Sequence, residues 1–244
     1  MVLVFDVSAD IAMFRKPYTT TSMVSYPFPP PTAVAGLIGA IVGLDHQAWK
    51  HAESAAYWAE LKDVQVAVGI RSPLRWVVTA VNLMKFKTGN ADMTEHVQIK
   101  HQFVKKPTYR IYVRGGAVYE TLKKYLQAGE FVYTPSLGTA YALADIRYIG
   151  EFSENAVEER SLALDTVVPY GQGVRIDVLA SGDIHRETVP VQFDTMRTLR
   201  ETSVVFYPDF PRRAKVPPRI ILAERGSVSI SQVGEEKVAW FHGW

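Results

Sequence analysis

No cysteine occurs among the 244 residues, which excludes disulfides, cysteine nucleophiles, thiolate zinc sites and iron–sulfur clusters. That absence fits a reducing, cytoplasmic compartment. No apolar run is long enough to cross a bilayer. The longest, Ala33 to Leu44, has twelve residues where a spanning helix needs about 20. The opening residues, MVLVFDVSAD, lack a basic start followed by an apolar stretch, so no signal peptide is expected. Histidines are few and badly spaced for metal: His46/His51 and His96/His101 stand five apart, and there is no His-Glu-x-x-His. A Gly-x-Ser-x-Gly elbow is missing too. Gly36, Gly39 and Gly43 fit neither a dinucleotide loop nor a phosphate loop with Lys-Ser/Thr. No metal, no cofactor and no membrane partner are expected.

What is present is an uneven distribution of charge. The total is only +2, yet between Arg71 and Arg114 nine cations face only Asp92 and Glu95. The stretch from Glu151 to Asp165 is acidic in compensation. A balanced chain with a basic middle suggests one face for a polyanion, although solvated strand faces would look alike in charge.

The pattern of elements predicts an α+β fold. Val2 to Val7 reads as a strand. Phe14 to Pro31 (FRKPYTTTSMVSYPFPPP) carries prolines at 17, 27, 29, 30 and 31 and reads as an extended loop. Thr32 is the expected N-cap of a buried helix over Ala33 to Gly43, whose small residues would let a sheet approach closely, and a second helix is expected over Gln47 to Leu61. Strands follow at Val64 to Ile70 and Trp76 to Val81, with a polar tip at Lys87 to Asp92 as in a long hairpin. Tyr109 to Val113 is another strand, Tyr119 to Leu126 a helix, and, after Phe131 to Tyr133 and a turn at Pro135 to Gly138, Ala140 to Ile149 a strand. The order resembles a ferredoxin-like or RRM-type sandwich over residues 1–150. Short strands after residue 150 suggest a small β-rich C-terminal subdomain, 151–244.

Single-stranded RNA is held by cations along its phosphates and flat rings against its splayed bases. The proline-flanked loop supplies both: Arg15 and Lys16 beside Tyr18, and Tyr26 beside Phe28. Its hydroxyls, Thr20 among them, can donate to phosphate or 2′-hydroxyl oxygens. Phe14 and Phe28 suit covering the helix. Behind the loop, Arg75, Lys85, Lys87, Lys100, His101, Lys105 and Arg110 extend the basic surface. Metal-free RNA cleavage would need a Tyr to activate the 2′-hydroxyl and a His or Lys to protonate the leaving oxygen. Tyr26, Lys100 and His101 are available, but Lys100 and His101 project to opposite faces of one strand. Phosphate contact by Lys100 and a hydrogen bond from His101 is the competing account.

The segment FDVSADIAMFRKPYTTTSMVSYPFPPPTAVAGLIGAIVGL resembles the N-terminal signature of the fifth family of CRISPR-associated (Cas) proteins. The likeness continues through Gln102 to Val113 and through Thr134-Pro135-Ser136-Leu137-Gly138-Thr139-Ala140. It implies a RAMP-type, RRM-like core with a long β-hairpin thumb, here about residues 75–106, in a type I Cascade complex. The implied role is RNA binding in antiviral defence, capping the crRNA 5′ handle while contacting the backbone subunit and the large PAM-recognising subunit. In the subtype I-C branch the subunit itself is a pre-crRNA endoribonuclease using a Tyr and a Lys-His pair, onto which Tyr26 and Lys100-His101 would fall. The Gln102 to Arg110 stretch is more similar to subtype I-B or I-A members, where a separate nuclease cuts.

Overall fold

The computed structural model describes residues 1–19, 22–45, 55, 57–87, 90–157, 159 and 162–244. Its framework runs β1 (Val2–Ser8), α1 (Pro31–Val42), β2 (Gln65–Ile70), β3 (Trp76–Lys87), β4 (Asn90–Lys105), β5 (Thr108–Arg114), α2 (Tyr119–Ala128) and β6 (Asp145–Phe152). Toward the C-terminus follow β7 (Ile184–Phe193), β8 (Leu199–Pro208), β9 (Ile230–Val233) and β10 (Glu236–Ala239), with shorter strands between. The fold is mixed and strand-rich.

Four strands make the central antiparallel sheet in the order β6-β1-β5-β2. β1 shows why its sequence is almost uninterruptedly apolar. Leu3, Phe5 and Val7 point to the main core, where they meet Val34 and Ile38 of α1 and Leu122 of α2. Val2 and Val4 point the other way, into a second cluster with Tyr112, Val238 and Trp240. A strand buried on both faces loses the period-2 alternation of a half-exposed one. The second face is roofed by the β9–β10 hairpin. The β7–β8 hairpin sends Val189, Val191 and Val205 into the main core, so that core is shared between the two ends of the chain.

Three details differ from the sequence reading. α1 is capped by Pro30, not Thr32: Pro31 opens the helix, and the Ala33 and Val34 amides donate to the Pro30 carbonyl. Proline at the first position has its φ preset and lacks only an amide that would have no helical partner. Gly36 does not admit a sheet, since a Cβ there would meet nothing within 4 Å. The strand expected from Ala140 begins at Asp145, and before it the Val132 and Tyr133 amides donate to the Ile41 and Ala40 carbonyls, satisfying the C-terminal turn of α1. Of the helix expected over Gln47 to Leu61, Tyr57–Glu60 is helical, and most of the remainder lies outside the described residues. Within the proline-flanked loop, Phe14 pairs with Tyr26 and Arg15 with Ser25. Its prolines sit at either end of that pairing, which leaves the middle free to form it.

β3 and β4 form a long antiparallel hairpin, in register from Trp76↔Val104 to Lys87↔Asn90. Its base is tied to the loop: Ser22–Met23 runs parallel beside Lys100–His101, and Ile11–Ala12 pairs with Val104–Lys105. No helix among the described residues is long and apolar enough to cross a membrane.

Candidate nucleic-acid interface

Two of the three segments that carry the family likeness, the N-terminal one and the Thr134–Ala140 turn, line one groove of about 680 Å³. One wall is the loop, with Met13, Phe14, Arg15 and Tyr26. The floor is the small-residue face of α1, with Ala33, Gly36 and Ala40. The far rim is the turn of Ser136, Gly138 and Thr139. Gly138 has to be glycine: its φ is +92°, and a Cβ would lie 1.9 Å from the Met13 carbonyl oxygen. The Met13 amide donates to the Leu137 carbonyl at 3.1 Å, so turn and loop are joined backbone to backbone. The loop is fixed from within by Ser25, whose Oγ accepts from the Phe14 amide and donates to the Tyr26 carbonyl. From the sheet, Tyr109 donates its hydroxyl to the Pro27 carbonyl at 2.8 Å.

Around this groove the loop's side chains divide. Arg15 is exposed, its guanidinium donating to the Thr19 carbonyl at 3.2 Å. Tyr18 is 67% exposed, unusual for a ring of its size. Lys16 turns inward, forming an ion pair with Glu187 of β7. Its ammonium also lies 5.2 Å from the Tyr26 ring centre and 5.9 Å from that of Tyr18. Tyr26 is buried, and burial, with Tyr18 and Glu187 nearby, pushes its phenol up to about 12. Thr20 lies outside the described residues, as do the side chains of Lys85 and Lys87.

On the hairpin, Arg75, Lys100 and Lys105 are exposed. His101 is buried, stacked on Phe103 with ring centres 5.7 Å apart, and its Nδ1 lies 2.9 Å from the Ile99 carbonyl oxygen. That nitrogen therefore carries the proton. Lys100 and His101 occupy opposite faces of β4, and their polar ends do not share a site.

Arg110 stands apart, in an ionic network on the β9–β10 side of the sheet. It grips Asp6 through two hydrogen bonds, 2.7 Å from Nε and 3.0 Å from Nη2, and reaches Glu236 at 3.2 Å. Arg71 and Tyr112 also donate to Glu236, and Arg147 donates to Asp6 at 3.0 Å. Hydrogen bonding to Asp6 drives the Arg110 pKa far upward. Its guanidinium thus secures the C-terminal hairpin.

Sequence reasoning passed over three contributors. Glu187 is 171 positions from Lys16 and carries no local signal of that pairing. Gly36 was assigned to packing. Thr139 Oγ1 is buried without a hydrogen-bond partner among the described residues, on the groove's rim; its turn belonged to the quoted likeness, and that was the available signal. Among the described residues no group of three or more His, Asp or Glu is arranged to hold a metal ion.

Comparison with known proteins follows the same lines. The family model described as CRISPR-associated protein (Cas_Cas5) matches residues 2–225. A chain of a CRISPR RNA-guided surveillance complex superposes with a TM-score of 0.53 at 12% identity, covering 86% of this chain and 90% of that one. A CRISPR protein from Archaeoglobus fulgidus gives 0.55 at 15% identity, covering 98% and 99%. A chain of the Type III-B Cmr-beta complex bound to cognate target RNA and AMPPnP gives 0.50 at 9% identity, covering 90% and 86%. At these identities the likeness is one of fold. No curated protein matches the chain by sequence.

Proposed function

The chain belongs to the CRISPR-associated protein family Cas_Cas5, and from that premise we propose that it is the subunit of a type I Cascade surveillance complex that grips the 5′ handle of the guide RNA. The observation that carries this reading is the meeting of loop, helix and turn at one groove, with Arg15 and Tyr18 exposed beside a hairpin that presents Arg75, Lys100 and Lys105. A protruding ring and open cations around a mostly apolar cleft suit an unpaired ribonucleotide strand, whose bases stack and whose phosphates pair. The strand order β6-β1-β5-β2, with α1 and α2 as crossovers, supports reading residues 1–150 as a ferredoxin-like RAMP core with residues 75–106 as its thumb. Residues 151–244 then form its β-rich C-terminal subdomain, and the assembly works in the cytoplasm.

Holding is favoured over cutting. A phenol near 12 is ionised in about one molecule in 10⁵ at neutral pH, a weak position for a base that must take a 2′-hydroxyl proton. His101 is sealed beneath its strand, away from Lys100. The test is incubation of the purified protein with its repeat RNA in EDTA, alongside anisotropy measurements on the 5′ handle. Binding that weakens steeply with salt, without new 2′,3′-cyclic phosphate ends, is expected. Cleavage abolished by Tyr26→Phe or His101→Ala would overturn the holding role in favour of an endoribonuclease.

A further inference from the structure

Strand β3 has a neighbour on one side only: it pairs with β4 along its whole length, and among the described residues no strand pairs with its other edge. The direction of its backbone groups follows from the register. Lys105 donates its amide to the Arg75 carbonyl at 2.7 Å, so the odd-numbered residues of β3 are turned toward β4. The even-numbered ones, Trp76, Val78, Ala80 and Asn82, therefore send both amide and carbonyl to the open edge. From Trp76 to Met84 this strand has no charged residue, whereas the returning strand carries Lys100 and Lys105. Trp76 to Ala80 are exposed without interruption: Trp76 at 37%, Val77 at 38% and Val78 at 62%.

Solitary proteins blunt such edges with proline, lysine or a bulge. Here none is used before the register shift between Met84 and Phe86. Exposure on both faces of the ribbon argues against a partner lying flat on one of them, and favours one that continues the sheet. An RNA strand is a poor match, because alternating amides and carbonyls beside valines offer phosphates no cation. We infer that the open edge of β3 receives an extended, uncharged, β-branched-rich strand from a neighbouring protein subunit, pairing with the backbone of Trp76 to Asn82. This rests on the reading of the chain as one subunit of a CRISPR complex. It divides the hairpin between a protein-facing segment of β3, Trp76 to Asn82, and the exposed cations Lys100 and Lys105 of β4.

The test is residue-resolved amide hydrogen exchange on the free chain, on the chain with guide RNA alone, and on the complex assembled from all subunits of its own CRISPR locus. Assembly is expected to slow the Val78 and Ala80 amides at least tenfold, while Thr79 and Val81, already bonded to β4, change little. That alternation belongs to strand addition and not to general shielding. Val78→Pro with Ala80→Pro, which removes two outward amides without adding charge, should leave the far-UV spectrum and RNA affinity of the free chain unchanged and reduce its incorporation at least tenfold. Protection by RNA alone, or in the concentrated free chain together with dimer sedimentation, would overturn the inference in favour of RNA or a second copy. So would incorporation with the Val78 and Ala80 amides still exchanging freely. Failure of the wild-type chain to join the complex at all refutes the underlying reading instead.

Discussion

Two glycines of the groove make opposite predictions under the same substitution. Gly138→Ala places a methyl at φ +92°, where its Cβ would sit 1.9 Å from the Met13 carbonyl oxygen and 2.7 Å from the carbonyl carbon. The left-handed conformation costs a non-glycine residue about 1–2 kcal/mol, and a backbone overlap has no flexible side chain to absorb it. A total near 3 kcal/mol, within the range known for enforced backbone strain, corresponds to a melting temperature about 6–12 °C lower in a chain of this size. Gly36→Ala adds a methyl to a helix interior with nothing within 4 Å of it. Alanine is favoured over glycine there by about 1 kcal/mol, a rise of about 2–4 °C. That methyl enters the groove floor, so RNA affinity should fall although stability rises. Thermal denaturation by circular dichroism and anisotropy with labelled 5′-handle RNA measure both. An unchanged melting temperature for Gly138→Ala, or a lowered one for Gly36→Ala, would refute the account of the groove; unchanged affinity for Gly36→Ala would remove RNA from it.

Other predictions concern charge and ring contacts. Arg15→Ala should flatten the log–log salt dependence of handle binding by about 0.7 if it meets one phosphate. Tyr18→Ala should weaken binding by about 1–3 kcal/mol without altering that slope, as loss of a stacked ring does; filter binding across a salt series separates the two. Glu187→Gln releases Lys16 from its ion pair, so RNA affinity should rise at low salt and the slope should steepen; a weaker complex would place Lys16 in a structural role only. Burial pushes the Asp6 carboxyl up, but hydrogen bonds from Arg110 and Arg147 outweigh it and hold the pKa below the ordinary value. Its stabilisation is then complete above the unfolded pKa near 3.9 and is lost as pH falls through the lower folded value. Asp6→Asn should cost about 3 kcal/mol at pH 7 and flatten the denaturation midpoint below pH 4, checked by urea titration across pH 2–7.

The framework was legible where a segment's chemistry is decided locally. α1 is a twelve-residue helix that begins at proline and is apolar apart from Thr32, and Trp76 to Lys105 carries strand residues on either side of a Gly-Asn tip. The part played by Phe131-Val132-Tyr133 was not legible, because the Val132 and Tyr133 amides serve carbonyls of α1 some ninety positions upstream. The site divided in the same way. Arg15 and Tyr18 are open in keeping with their place in a polar loop, and strand alternation anticipated the separation of Lys100 from His101. Nothing local revealed that Lys16 belongs to Glu187 or Arg110 to Asp6 and Glu236. An ion pair across more than a hundred residues leaves no trace in either neighbourhood.

That distant pairing changes what the basic middle of the chain means. Of the nine cations between Arg71 and Arg114, three are directed to the C-terminal hairpin and its surroundings. Arg71 and Arg110 serve Glu236. Arg114 pairs with Glu154, donates to Gln65 at 2.7 Å and lies 4.1 Å from the Trp240 ring centre. A guanidinium held by carboxylates and a ring has little left for a phosphate, since leaving would strand buried acceptors. Among the described side chains of loop and hairpin, the exposed cations are Arg15, Arg75, Lys100, Lys105 and Lys106. If each meets one phosphate, they supply a salt slope of about −3.5, to which Lys85 and Lys87 can add about −1.4. A measured slope far steeper than −5 would require Arg71, Arg110 or Arg114 to leave their carboxylates, and would contradict the division of labour drawn from these ion pairs.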